Sequence, residues 1–436
     1  MSDDKKINMR CLICDADDKW TNVDEFRHTK KDMEICGGCG FVSYPSMYKT
    51  EEEIKEYYRK DYRPAPTAAN LYSGQRKLNY HEFFLRDVFD KWTADKVKPV
   101  VGEIGAAYGL VLNWLRGIFP EADVSGSEMT LSYRRVAHHE NKIELSEDFD
   151  YSKKYDLIMS YKVQEHLMDA DLKLRQKVLA LKDDGLIYIS VPCWFDQAYN
   201  FGAAGFDLEY YYHPNHINVW TQKLFETMLK KCGLEIVKQD HVIYDSTYLC
   251  KRNDSLMSET PVYEDPEEIK ERMRKLKAAS ICYDQRQYSE AINLWPNYPL
   301  AWQAVYENTR AEFHKKGFSA ILTEFIEPML KACPNTSTVR GIAADICMRY
   351  GKWDTAIEYF KKVLEMKPQD PNALMNMGHC MRNLAKEHPE EKIKFLVQAR
   401  DLARYTKEIS LQSREECISW IYKDSAEIPL PSESNP

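Results

Sequence analysis

Between Val100 and Cys250, short apolar runs alternate with amphipathic segments, and this alternation constrains the fold more than any other feature of the chain. The strand candidates are VVGEI, ADVSGSE, YDLIMSY, GLIYISV and LEIVKQDHVIY. Between them GLVLNWLRGIF, LSYRRVAHHE, DLKLRQKVLALK and TQKLFETMLKKC have helical periodicity. Strands separated by helices cross over and pair in parallel. The pattern therefore predicts a doubly wound α/β sheet of Rossmann-like type, with helices on both faces. Ahead of it, KLNYHEFFLRDVFDKW places Phe84, Val88 and Trp92 at helical spacing.

The flanking regions read differently. The first segment is short, polar and cysteine-bearing, and ends in EEEIKEYYRKDYRPAP, a charged helix stopped by Pro64 and Pro66. After the alternating region comes an acidic break, KRNDSLMSETPVYEDPEE, and then only helical patterns. VRGIAADICMRYGKWDTAIEYFKKVLEMKPQDP suggests a repeat of roughly 34 residues. AASICYDQRQYSEAINLWPNYP is a weaker copy, short for a full second helix, and the segment from Asn372 gives a further helical pair. These resemble tetratricopeptide repeats. The expected organisation is a cysteine-bearing segment over 1–62, the α/β domain over 63–252, a linker over 253–268, helical repeats over 269–424 and a disordered tail over 425–436.

Composition narrows the function classes. The chain has 436 residues, too many for one ordinary core. It carries 60 basic and 68 acidic residues, a net charge of -8, which argues against a general grip on nucleic-acid backbone. No apolar run approaches the roughly 18 residues of a membrane span, so no membrane partner is expected. The polar start MSDDKKINMR does not read as a secretory signal. Eight of the twelve cysteines are scattered singly, as expected of reduced thiols in a cytoplasmic setting.

The other four form the strongest local motif, Cys11-Leu-Ile-Cys14 and Cys36-Gly-Gly-Cys39. A CxxC turn can set two sulfurs on one ion, and two such turns supply the four corners that structural zinc needs. Gly37, Gly38 and Gly40 allow the tight turn. Four sulfurs leave no open position for water, so the expected role is structural, a zinc ribbon. Free thiols or a redox dithiol are the alternative.

The turn after the first strand, VGEIGAAYGL, has Gly105 and Gly109 but Ala107 where a further glycine is often found. In a doubly wound sheet this turn holds the ligand at the carboxyl end of the first strand. The missing glycine matters when a pyrophosphate must press on the backbone. It matters less for a nucleoside without phosphates, such as S-adenosylmethionine, whose ribose hydroxyls need an acid after the second strand. Glu128 stands there, about 20 residues on. A nicotinamide-binding domain is the alternative.

The ordered set VGEIGAAYG, VSGSE, YDLIMSYKVQEHL and LKDDGLIYISVP resembles the class I S-adenosylmethionine-dependent methyltransferases over roughly residues 8–250. It is most similar to those with a fused N-terminal zinc-binding segment, which include sugar C-methyltransferases. The resemblance implies that Glu103, Gly105 and Gly109 line the methionine end, that Glu128 binds ribose, and that Glu147 or Asp148 faces adenine. It implies that His166, next to Glu165, serves as general base, with His216 near the acceptor. The last belongs to EYYYHPNHINVWT, where Tyr210, Tyr211, Tyr212, His213 and Asn218 also stand. That loop reads as acceptor contacts in preference to a His213–His216 metal pair. The sugar C-methyltransferases carry a further α/β domain where this chain has helical repeats, so O-methylation of a saccharide stays open beside C-methylation. Two other readings stand: a protein methyltransferase whose repeats hold the substrate or a partner protein, and a non-catalytic scaffold.

Overall fold

The computed structural model describes residues 10–17, 19–23, 33–44, 50–60, 68–95, 98–193, 216–242, 245–334, 336–367, 370–409 and, within 417–424, all but 418 and 422. The loop from Tyr210 to His213 and the tail expected over 425–436 lie outside the described residues. The chain divides into two compact units, one running essentially to Arg274 and the other from Lys275.

The first unit opens with three short strands, β1 (Trp20–Asn22), β2 (Glu34–Cys36) and β3 (Val42–Ser43), followed by helices α1 (Glu51–Lys60) and α2 (Ala68–Asp95). Then come β4 (Val100–Ile104), α3 (Leu110–Ile118), β5 (Asp123–Ser127), α4 (Leu131–Asn141), β6 (Leu145–Ser146), β7 (Tyr155–Tyr161), α5 (Ala170–Leu179) and β8 (Leu181–Val191). The unit is completed by β9 (Asn218–Val219), α6 (Gln222–Lys231), β10 (Leu234–Val242) and β11 (Asp245–Arg252).

The main sheet has the order β10-β11-β8-β7-β4-β5-β6. From β8 to β6 every pair is parallel, as the alternation predicts. At the other edge the expectation of a parallel sheet fails. LEIVKQDHVIY is only the first arm of a hairpin, and β11 returns between β10 and β8, antiparallel to both. Two strands joined by two residues have no room for a crossover, so they pair antiparallel. The sheet is mixed. Its two faces are buried by separate clusters. Phe84, Phe89 and Trp92 of α2 pack with Leu115 and Leu157 on one face. Leu174, Val178, Leu224, Phe225 and Met228 pack with Ile158 and Ile187 on the other.

The cysteine-bearing segment is built into this unit. Its small sheet, β1-β2-β3-β9, takes its last strand from the α/β region. Phe41 stacks on Trp220 with ring centroids 4.9 Å apart. Cys11, Leu12 and Ile13 join the core cluster of Leu224 and Phe225. The acidic break after β11 is also packed: Thr227 Oγ1 donates to Val262 O at 2.8 Å, and Glu264 N–H donates to Cys39 O at 3.2 Å.

The second unit is helical throughout its described residues. Helix α7 (Pro266–Asp284) spans the boundary between the units. It is followed by α8 (Tyr288–Leu294), α9 (Pro299–Phe313) and α10, which runs as Phe318–Ile321, a wide turn at Leu322–Ile326, and Glu327–Ala332. Next are α11 (Ser337–Arg349), α12 (Trp353–Met366), α13 (Pro371–Glu387) and α14 (Lys392–Ile409). The clearer repeat window is the α11–α12 hairpin, closed on itself by Ala344, Cys347, Ala356 and Phe360. The weaker copy ends in the seven residues of α8, as its sequence suggests. Pro371 opens α13, where its missing N–H is harmless, and Asp370 caps the Ala373 amide at 2.9 Å.

Candidate active site

Chain order reverses beside β4, because β5 and β6 extend the sheet one way and β7 and β8 the other. A cavity of about 540 Å³ opens at the carboxyl ends of these strands. That is where an open α/β sheet binds ligands, and the volume lies within the range of roughly 300–1,000 Å³ for small-molecule sites. Helix α1 contributes Ile54, Lys55 and Tyr58 to the wall, and α2 contributes His81.

One end is made by the turn after β4. Gly105, Ala107 and Gly109 all have left-handed backbone, at φ 71°, 46° and 68°. The position without a glycine therefore adopts the glycine conformation anyway. Ala107 N–H donates to Glu128 Oε2 at 3.0 Å, and Thr130 N–H donates to Glu128 Oε1 at 2.8 Å, so two amides fix that carboxylate at the cavity wall. Glu103 is 5% exposed and lines the cavity, and its Oε2 has no hydrogen-bond partner among the described residues. Burial, reinforced by the charge of Glu128, pushes its carboxyl up to about 8. An unpartnered buried carboxylate fits a cationic ligand group, and Glu128 retains lone pairs for hydroxyl donors. Gly109 lies behind the wall. A Cβ there would meet Ile143 Cβ at 3.1 Å and Ala137 Cβ at 3.3 Å, so this glycine serves the close packing of the turn. Glu147 and Asp148 are at the rim, where Glu147 pairs with Arg59 and Arg134, and Asp148 with Lys55 at 3.3 Å.

The other end follows β7. Glu165 and His166 lie four and five residues past the strand, on a single 3-10 turn, Gln164–His166. His166 lines the cavity, with the ring of Tyr58 edge-on at 5.6 Å. Glu165 is buried, with Oε1 3.7 Å from His166 Nε2. The His216 ring packs edge-on against that of His166, with centroids 5.0 Å apart. The donor atoms of Glu165, His166 and His216 all lie within 4.8 Å of one another, a set that could also take a metal ion. Six predicted residues thus line the cavity, Glu103, Gly105, Glu128, Glu147, Asp148 and His166, while Glu165, His216 and Gly109 are not part of its lining.

Lys177 was not legible as a site residue, yet it lines the cavity from α5. Its ammonium donates to Ser160 Oγ at 2.9 Å and Gln164 Oε1 at 3.1 Å. Burial pulls it down to about 7, against the opposing charge of Glu165. The available signal was its register: Ala170, Leu174, Lys177 and Val178 share the buried stripe of α5, where a lysine is out of place.

The four cysteines meet as their spacing requires. Cys11 and Cys39 sulfurs are 3.5 Å apart, as are those of Cys14 and Cys36. A tetrahedral zinc with Zn–S bonds near 2.3 Å sets its sulfurs about 3.8 Å apart, so the cluster fits the ion closely. Gly38 N–H points at Cys36 Sγ from 3.4 Å, and a Cβ on Gly38 would meet Cys14 Sγ at 3.2 Å. Hydrogen bonds from Cys11 and Cys39 hold the Cys36 thiol well below the usual range.

Residues 78–239 match the sequence profile of a family described as a methyltransferase domain. No curated protein matches the chain. Among solved structures it is similar to an S-adenosylmethionine-dependent methyltransferase from Clostridium acetobutylicum, at 10% identity over 42% of this chain and 99% of that one, with TM-score 0.30. It is also similar to 1,6-didemethyltoxoflavin-N1-methyltransferase from Burkholderia thailandensis, at 15% identity over 44% of this chain and 94% of that one, with TM-score 0.28. A third is the mitomycin 7-O-methyltransferase MmcR, at 13% identity, where the match spans 35% of this chain and 49% of that one with TM-score 0.29. Residues 78–239, which carry most of the cavity lining, are a methyltransferase domain.

Proposed function

We propose that the acceptor is a saccharide, nucleotide-sugar or small glycan, methylated on oxygen or carbon. One observation carries this reading. A single cavity, walled by α1 and α2, has carboxylates at one end and His166 with Tyr58 and Tyr161 at the other. That arrangement suits a small polar acceptor with a ring to stack, and it favours such an acceptor over a polypeptide segment.

Glu103 and Gly105 are proposed to hold the methionine end of the cofactor, and Glu128 its ribose. Glu147 or Asp148 is proposed at the adenine rim. Gly109 keeps the turn close to α4. When bound, S-adenosylmethionine supplies an electrophilic methyl group. His166 accepts the acceptor's proton as the oxygen or carbon attacks, and Glu165 orients the imidazole. His216, outside the cavity lining, packs edge-on against that ring and sets its tilt. The four cysteines hold structural zinc. The helical hairpins are proposed to hold a partner or carrier protein, and the compartment to be the reducing cytoplasm; none of the twelve cysteines forms a disulfide, and no described helix is long and apolar enough to cross a membrane.

A radiolabelled methyl-transfer screen over nucleotide-sugars, glycans and lysate proteins tests the acceptor class, and labelling of protein alone overturns it. With an acceptor in hand, His166→Ala should lower turnover by about 100- to 10,000-fold with cofactor affinity nearly intact. The donor spacing at Glu165, His166 and His216 favours one second reading, in which a divalent ion there holds the acceptor oxygen. Loss of turnover on mild chelation, with the cysteine-bound zinc retained, would select it.

A further inference from the structure

The four-cysteine knuckle and the turn that carries Glu165 and His166 are joined through one short strand. On one side of β9, Val42 pairs with Val219 and Ser43 with Asn218. Tyr44 N–H donates to Ile217 O at 2.8 Å, and Ser43 Oγ donates to the same oxygen at 2.9 Å. The knuckle is fastened to this strand pair, since Cys36 N–H donates to Phe41 O at 2.8 Å. On the other side, the Asn218 side chain reaches the turn. Its Nδ2 donates to Gln164 O at 3.0 Å and to Leu167 O at 2.7 Å, one carbonyl at each end of the turn. His216, two residues earlier, meets His166 edge-on at 5.0 Å. Asn218 and Ser43 are both fully buried. Buried backbone carbonyls need a donor, and these two take theirs from a strand whose own position the cysteine segment fixes.

We propose that Asn218 is a positioning residue that transmits the rigidity of the metal-bound cysteine knuckle to the Gln164–His166 turn, so that metal occupancy of the knuckle governs how His166 faces the acceptor. The zinc segment then acts on the reaction as well as on stability. The functional part rests on the reading that this turn serves methyl transfer; the mechanical part does not.

The test follows amide exchange of residues 163–168 by mass spectrometry in the full-length, zinc-loaded protein. Asn218→Asp keeps the side-chain volume and loses both N–H donors. Ser43→Ala alters only the cysteine side of β9. Exchange in the turn should rise by about tenfold or more in Asn218→Asp and by about threefold in Ser43→Ala. Zinc content and the protection of β4 and β7 should be unchanged. Stripping zinc from the wild-type chain should raise exchange in the same peptides. Unchanged exchange at 163–168 in folded Asn218→Asp overturns the proposal. So does a rise there that neither Ser43→Ala nor zinc removal reproduces. If Asn218→Asp does not fold, Ser43→Ala and zinc removal decide. With an acceptor identified, Asn218→Asp should lower kcat about tenfold while KM for S-adenosylmethionine holds, a split that general destabilisation would not produce. Calorimetric titration of the wild-type chain with S-adenosylmethionine runs alongside. Failure there would sink the methyltransferase reading and leave the exchange result standing.

Discussion

Glu103 gives the sharpest pH dependence among single residues. In the folded chain its carboxyl titrates near 8, against 4.5 for an ordinary glutamate. Between those values the folded state keeps a proton that the unfolded state has lost. Stability therefore falls as pH rises from about 4.5 to 8, by linkage. Glu103→Gln removes the titration, so its melting temperature should exceed the wild-type value by a margin that widens from pH 5 to pH 8. Parallel melting curves across that range check this, and a constant margin would refute it. The same variant should bind S-adenosylmethionine about tenfold more weakly or worse, since it loses a charged acceptor. Ala107 is the second case. An alanine at φ 46° is strained where glycine is not. Ala107→Gly should stabilise the chain by about 0.5–1 kcal/mol, visible as a small rise in melting temperature. Gly105 behaves oppositely. A Cβ there would meet Val163 Cγ2 at 2.8 Å, so Gly105→Val fails first by pushing away the turn after β7, before any clash with ligand.

Among the elements, α1 closes the cavity with little stability of its own. Its pairs, Arg59 with Glu147 and Lys55 with Asp148, are largely exposed, and such pairs contribute about 0–1 kcal/mol. Arg59→Ala should leave the melting temperature nearly unchanged yet speed cofactor release about threefold at low salt, with the difference fading as added salt screens the wild-type pair. Stopped-flow release measurements at two ionic strengths test it. The sequence made α1 and the parallel strands β4, β5, β7 and β8 legible for one reason: their apolar spacing is set by neighbours close in the chain or by a core that buries both faces; the two-residue β6 carries no such spacing. The β10–β11 hairpin was hidden because Ile243 and Tyr244, between its arms, carry no glycine, asparagine or proline signal. DSTYLCKR reads as polar, yet Ser246 and Thr247 are buried because β11 lies inside the sheet. At the site, Glu103 could be placed because it stands near the end of β4, and Glu128 and His166 because they follow β5 and β7. Tyr58 could not, because it reaches the site from a helix distant in sequence; Lys177 shows only as a charge in the buried stripe of α5, and Asn218, read with the acceptor loop, instead clamps the Gln164–His166 turn.

At the scale of the whole molecule, the methyltransferase unit does not end where its last strand does. Beyond Asn253 the chain returns over the cysteine knuckle, with Glu259 pairing to Lys230 at 3.1 Å and Glu264 bonding to Thr221 and to Cys39 O. A Cβ on Gly40, at φ 79°, would meet Glu264 O at 3.2 Å and Ile269 Cγ1 at 3.3 Å, so this covering strap fits closely against the cysteine turn. Ile269 and Met273 are buried at the start of α7. A chain ending at Asn253 would lose these contacts and expose the knuckle, whereas one ending at Arg274 keeps them. The longer truncation should retain about one zinc per chain by metal analysis and bind S-adenosylmethionine by calorimetry with wild-type affinity. The shorter one should lose zinc and melt well below it. Equal zinc content and equal melting would show that the strap is dispensable. With the longer chain folded, turnover on a free saccharide in the absence of the helical hairpins would assign those hairpins to delivery of a partner or carrier, and loss of turnover with cofactor binding intact would assign them to the acceptor itself.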